Sequence, residues 1–105
     1  MQFVALNPLL KNVVIHIANE GSRTSQYGRR LKQMGMMPGV ADLFVALARR
    51  GYHGAWLELK SRDGIISFKQ KAFLENMADQ GYYTKVCFSL DEAIEVMKWY
   101  AYGLG

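Results

Sequence analysis

A single cysteine, Cys87, stands among 105 residues, so no disulfide can form within the chain. One thiol without a companion Cys/His cluster argues against a zinc site and against a secreted, disulfide-built scaffold. The two prolines, Pro8 and Pro38, lie far apart, and the chain has no linker-like run, internal repeat or low-complexity stretch. No apolar run approaches the roughly 20 residues of a membrane helix. The opening MQFVALNPLLKN lacks the basic start and long apolar core of a signal peptide. A cytoplasmic protein is expected. Acids are also scarce, with 9 Asp and Glu against 13 Lys and Arg, and none precedes Glu20.

Half of the chain is hydrophobic and 12% is aromatic, enough for one domain over residues 1–105 to bury a core. The net charge of +4 is unevenly spread: residues 1–71 hold 11 bases against 4 acids, residues 72–105 hold 2 against 5. A basic N-terminal two-thirds suits a polyanionic partner, because phosphate contacts supply most non-specific nucleic-acid affinity. Many small basic domains bind no nucleic acid, so charge alone does not decide.

The apolar, β-branched run 13–18 (VVIHIA) reads as a strand, after at most a short helix around Asn7–Lys11. Asn19–Thr24 is a loop, and Ser25–Met34 forms a helix that stops at Gly35 and exposes Arg29, Arg30 and Lys32. Asp42–Leu47 is a second strand, RRGYHG a hairpin connection, and Ala55–Lys60 a third strand. Ser67 and Gln70 have capping-box spacing for a helix to about Gln80. Tyr83–Phe88 is a fourth strand, and Ser89 with Glu92 opens a last helix to about Tyr102. The order implies an α/β fold with a mixed four-stranded sheet flanked by helices.

Glu58 and Lys60 share one face of the third strand because alternate residues do. A hairpin across RRGYHG brings Asp42 beside them, although 15 residues separate Asp42 from Glu58. Two adjacent carboxylates repel unless a cation lies between them, and hard oxygen ligands favour Mg²⁺ or Mn²⁺. The carbonyl of Leu59 is a candidate further ligand. Such a metal acidifies water and offsets charge on a phosphate, with Lys60 placed to orient that water or shield the phosphate. The bland alternative is a strand-end aspartate and an exposed ion pair worth little.

The ordered pieces Gly39-Val40-Ala41-Asp42-Leu43-Phe44-Val45, Gly51-Tyr52-His53-Gly54, Leu57-Glu58-Leu59-Lys60 and Ser67-Phe68-Lys69-Gln70-Lys71 resemble the VRR-NUC domain. The upstream His16-x-x-Asn19-Glu20-Gly21 and the closing Gly81-Tyr82 also fit that family's run, so the resemblance spans roughly residues 13–100. It implies a member of the PD-(D/E)XK nuclease superfamily, with a restriction-endonuclease-like core that hydrolyses DNA phosphodiesters using Mg²⁺ or Mn²⁺. Asp42 and Glu58 would then be metal ligands, Lys60 the catalytic lysine, and Gln70 a polar group supporting the site or contacting a phosphate. Single-domain members of phages and bacteria suggest a homodimer acting on branched DNA such as four-way junctions.

This sequence departs from the family pattern in two places. Ala41 stands where the family usually has proline, which supplies rigidity rather than a ligand. The glutamate common in the family's first helix has no counterpart, since nothing before Glu20 is acidic. Glu20 is thereby a candidate substitute ligand, or a solvated loop acid. His53, in a glycine-flanked turn, is a second candidate near the site, whereas His16 reads as a hydrogen-bonded core histidine. Arg23, Arg29, Arg30 and Lys32, with Arg49 and Arg50, are candidate DNA contacts, or a solvated basic face. The competing reading from another class is a DNA-binding or structural module of the same fold without turnover.

Overall fold

Alternating apolar residues pair into one four-stranded sheet of order β1-β2-β3-β4 in the computed structural model, which describes residues 2–17 and 40–103. The strands are β1 (Val14–His16), β2 (Leu43–Val45), β3 (Ala55–Leu59) and β4 (Tyr83–Cys87). Helices α1 (Gln2–Ala5), α2 (Phe68–Asp79) and α3 (Leu90–Tyr102) complete the described chain. β1, β2 and β3 run antiparallel in turn, while β3 and β4 are parallel and joined through α2. This is the mixed, helix-flanked sheet expected from the sequence. The helix expected over Ser25–Met34 lies outside the described residues.

The strands divide their residues between two faces. Leu43, Val45, Ala55, Leu57 and Cys87 enter the larger core with Val4, Leu10 and Ala93, Met97, Tyr100 and Ala101 of α3. The last four follow helical spacing, so one stripe of α3 covers the sheet. On the opposite face, Phe73 and Leu74 of α2 pack with Ala41, and Trp56 and Val86 lean on that cluster. Burial also raises the Cys87 thiol to about 11, so it is a packing group and not a nucleophile.

Both later helices start as their capping residues dictate. Ser67 accepts from the Gln70 amide at 3.1 Å while Gln70 Oε1 accepts from the Ser67 amide at 3.0 Å, a complete capping box. At α3, Ser89 accepts from the Glu92 amide at 3.0 Å, but Glu92 reaches one residue further back to the Phe88 amide at 2.6 Å. Gly103 closes α3 in the left-handed region at φ 75°. Buried Tyr100 donates its hydroxyl to the Leu47 carbonyl at 2.6 Å, tying α3 to the residues after β2. Tyr100→Phe is expected to cost about 1 kcal/mol, read as a lower urea midpoint at unchanged slope.

The hairpin between β2 and β3 carries an offset that the sequence pattern does not announce. Arg50 and Gly51 both have positive φ, 56° and 84°, between Arg49 and Tyr52, which exchange backbone hydrogen bonds. Positive φ at both central positions is the mark of a type I′ hairpin turn. Continued without interruption, that turn would set Asp42 opposite Leu59. The paired register is instead Val45 with Ala55 and Leu43 with Leu57, because three residues (46–48) face two (53–54). This bulge-like extra residue moves every pairing upstream by one, and so exchanges the faces. Gly54 sits at this offset, where a Cβ would meet the Val45 carbonyl at 2.9 Å and the Phe44 ring at 3.0 Å.

Several element ends differ from the sequence reading. The N-terminal helix is Gln2–Ala5, followed by turns through Val13, and not a helix over Asn7–Lys11. Leu10 is fully buried there, so tertiary packing selects turns that deliver it to the core. β2 ends at Val45 and not at Leu47, because the offset breaks the ladder. Among the described residues no helix is long and apolar enough to cross a membrane.

Candidate active site

Asp42 lies one step before β2, and continuing the Leu43–Leu57 pairing sets it opposite Glu58. Directly opposed residues point to one face, here the α2 face shared with Trp56. The Asp42 backbone is fixed by its carbonyl, which accepts from the Ile17 amide at 2.7 Å, just past β1. Its carboxylate is fixed too: Oδ2 accepts from the Leu59 amide at 2.8 Å. The Lys60 amide donates to the Cys87 carbonyl at 2.8 Å, toward β4. Backbone groups alternate sides along a strand, so the Leu59 amide and carbonyl turn the other way, toward Asp42.

Glu58 is the one buried charged residue among the described residues, 2% exposed in the middle of the sheet. Its Oε2 accepts from Gln70 Nε2 at 3.0 Å and lies 3.5 Å from Lys60 Nζ. Its Oε1 is buried with no hydrogen-bond partner among the described residues. Trp56, Phe44 and Phe73 form an aromatic wall on the same face, with ring centroids 4.4 Å and 5.0 Å from that of Trp56. Burial, first, and the neighbouring Asp42 carboxylate, second, push the Glu58 carboxyl from 4.5 to about 7, with Lys60 opposing both. A buried acid facing a second acid is unfavourable unless a proton or a cation is shared between them.

Gln70 serves structure and site together. Its Oε1 completes the capping box of α2 while its Nε2 holds Glu58, so the amide is committed at both ends. Gln70→Ala is expected to cost about 1–2 kcal/mol, combining a lost cap with a buried carboxylate losing its donor. A double-mutant cycle with Glu58→Ala checks this: the coupling appears only if the Gln70–Glu58 contact carries part of the loss.

The donor set fits a hard divalent cation. It offers an unpartnered buried carboxylate oxygen, a second carboxylate on the same face, and the Leu59 carbonyl turned to that side. Among the described residues no group of three or more His, Cys, Asp or Glu side chains converges, so protein ligands are few.

The remaining sequence candidates separate. His53 precedes β3 while Glu58 lies near its end, roughly 16 Å apart along the strand. The His53 ring is exposed against Tyr82, and the structure does not bring it to the carboxylates. His16 is exposed at the sheet edge and not a core histidine. Arg49 donates to the Ala101 carbonyl at 3.4 Å and Arg50 lies 5.6 Å over the Trp99 ring, both at the turn end of the hairpin. Glu20, Arg23, Arg29, Arg30 and Lys32 lie outside the described residues. The sequence reading missed the Leu59 amide, for which no side-chain signal exists. Glu58's depth was missed as well, although the flanking Trp56 and Leu57 could have hinted at it.

No family model matches the sequence, and no curated protein matches it. Among solved structures, a VRR_NUC domain protein matches 99% of this chain and 82% of its own, with a TM-score of 0.80 at 26% identity. The motif resemblance is thus accompanied by a resemblance in fold.

Proposed function

We propose, from the likeness to a VRR_NUC domain protein, that this chain is a nuclease which hydrolyses DNA phosphodiester bonds with Mg²⁺ or Mn²⁺. The observation that carries the reading is the buried Glu58, whose Oε1 meets no donor among the described residues, opposed to Asp42 and flanked by Lys60 and Gln70. A proton shared with Asp42 or a divalent ion between the two carboxyls would relieve their repulsion, and the nuclease reading takes the ion.

Asp42, Glu58 and the Leu59 carbonyl would hold that ion, which when bound supplies an acidified water and counter-charge for the phosphate. The chain's own residues do the positioning. The Leu59 amide fixes one Asp42 oxygen, and Gln70 fixes one Glu58 oxygen, so neither carboxylate has to reorganise. Lys60 Nζ lies 3.5 Å from Glu58 Oε2 with its side chain partly exposed, so an incoming phosphate can reach it. As a water oxygen bonds to phosphorus and that water gives up a proton, the bond from phosphorus to the leaving sugar oxygen breaks and the leaving oxygen takes up a proton in exchange, so none is gained or lost overall. Lys60 shields the negative charge that builds on the phosphoryl oxygens. The product is a nicked strand.

We further propose branched DNA, such as a four-way junction, as the preferred substrate and a homodimer as the acting form. Both rest on the motif resemblance, and a twofold pair of sites suits symmetric cutting of a junction. The competing reading, a binding module without turnover, draws on the convergence of only two acids among the described residues. Cleavage of labelled junction and linear duplex in Mn²⁺, Mg²⁺ and EDTA, with Glu58→Ala alongside, decides between them. Metal-dependent cutting absent from the variant supports the nuclease. Binding without product in any metal supports the module.

A further inference from the structure

Beside this site stands a feature that the chemistry above leaves unused. Ile65 and Phe68 are each 86% exposed, the most exposed large hydrophobic residues among those described. Phe68 is the first residue of α2, two before Gln70, and Ile65 belongs to the loop leaving Lys60. That loop turns tightly on leaving the strand: the Gly64 amide donates to the Ser61 carbonyl at 2.8 Å, and a Cβ on Gly64 would come within 3.2 Å of Lys60 Cβ. Gln70 points inward to Glu58, and helical spacing turns Phe68 about 200° from it, outward. Helical side chains lean toward the N-terminus, so Phe68 projects past the first turn of α2, the same turn that carries Gln70 on its inner side. Exposed Arg62, Lys69 and Lys71 neighbour the pair along the chain, against one exposed acid, Asp63.

Apolar side chains set among bases, at the edge of a phosphate-handling site, match a nucleic-acid base whose backbone the bases hold. We propose that Phe68, supported by Ile65, stacks on an unpaired base next to the scissile phosphate and thereby selects interrupted DNA over continuous duplex. In a continuous duplex no base face is free, and a wedge must first unstack one. At a branch or bulge the face is already open. This inference rests on the proposed nuclease reading and adds to it the residue that distinguishes substrates.

The test compares cleavage of a continuous duplex with the same duplex carrying two unpaired bases, for the parent chain, Phe68→Ala and Phe68→Trp. Anisotropy of both DNAs in EDTA reports binding independently of cutting. The interrupted-to-continuous ratio is expected to fall roughly 5- to 100-fold in Phe68→Ala and to be retained in Phe68→Trp, which keeps an aromatic face. Because Phe68 is so exposed, Phe68→Ala should remain folded, and its circular dichroism checks this. An unchanged ratio with cleavage intact overturns the inference and leaves the nuclease reading standing. Loss of binding preference in Phe68→Ala, where the parent cuts neither DNA, upholds the stacking and removes the nuclease reading. A Phe68→Ala chain that changes oligomeric state while keeping its ratio assigns the patch to self-association and overturns the inference.

Discussion

At pH 8 without divalent ion, Glu58→Gln is expected to unfold at a higher temperature than the parent chain. Glu58 is buried against Asp42, and its carboxyl titrates near 7 instead of 4.5. Between those two values the folded protein holds a proton that the unfolded chain has already released. Stability of the parent therefore falls as pH rises through this window and stays low above it. A shift of that size corresponds to about 1–3 kcal/mol once allowance is made for relaxation of the folded state. Glutamine carries no charge, can still accept from Gln70, and presents an amide donor toward Asp42. Thermal melts from pH 4 to pH 9 provide the check: the parent should lose stability across the window and the variant should not. Adding Mg²⁺ or Mn²⁺ at pH 8 should raise the melting temperature of the parent and leave that of Glu58→Gln nearly unchanged. A parent that melts at the same temperature at pH 5 and pH 8 would sink this account.

Lys60→Ala should produce the largest kinetic effect of a single change outside the carboxylates, a loss of about 10²–10³-fold in single-turnover cleavage. Its ammonium lies 3.5 Å from Glu58 and opposes the upward shift of that carboxyl. Removing it takes away charge stabilisation that grows as the phosphoryl oxygens become more negative. The loss should therefore fall on kcat more than on KM. Asp42→Asn should be comparably slow, and the double variant hardly slower than either single, because the groups act as one unit. Rates additive in free energy would show instead that Lys60 and Asp42 act separately.

How legible the molecule was from sequence depends on what each residue had to reveal. Ser67 and Gln70 announced the start of α2, because a capping box depends on local spacing alone. The face shared by Glu58 and Lys60 followed from strand alternation, and the neighbourhood of Asp42 from assuming a hairpin. Burial of Glu58 was not legible. It depends on α2 and the aromatic wall folding over one face, a tertiary event that the EL alternation does not encode. His16 looked like a core residue because its neighbours are β-branched, yet β1 is a three-residue edge strand with little cover. Runs that short carry too few periods to tell an inward from an outward residue. The N-terminal helix failed for a related reason: Leu10 is drawn into the core, and the local chain accommodates it with turns.

The extra residue between Val45 and Arg49 turns the length of that connector into a matter of parity. Strand faces repeat every two residues, so gaining or losing one residue there would turn Asp42 to the side of Leu57 and Leu59 while leaving its identity untouched. Gaining or losing two would preserve its side and shift only its partner. Chains that share this arrangement can thus vary in this connector by even steps, and an odd step would have to be answered by a second odd step across the turn. Counting residues from Asp42 to the turn, and from the turn to Glu58, therefore says more about whether the two carboxylates meet than matching either one in an alignment.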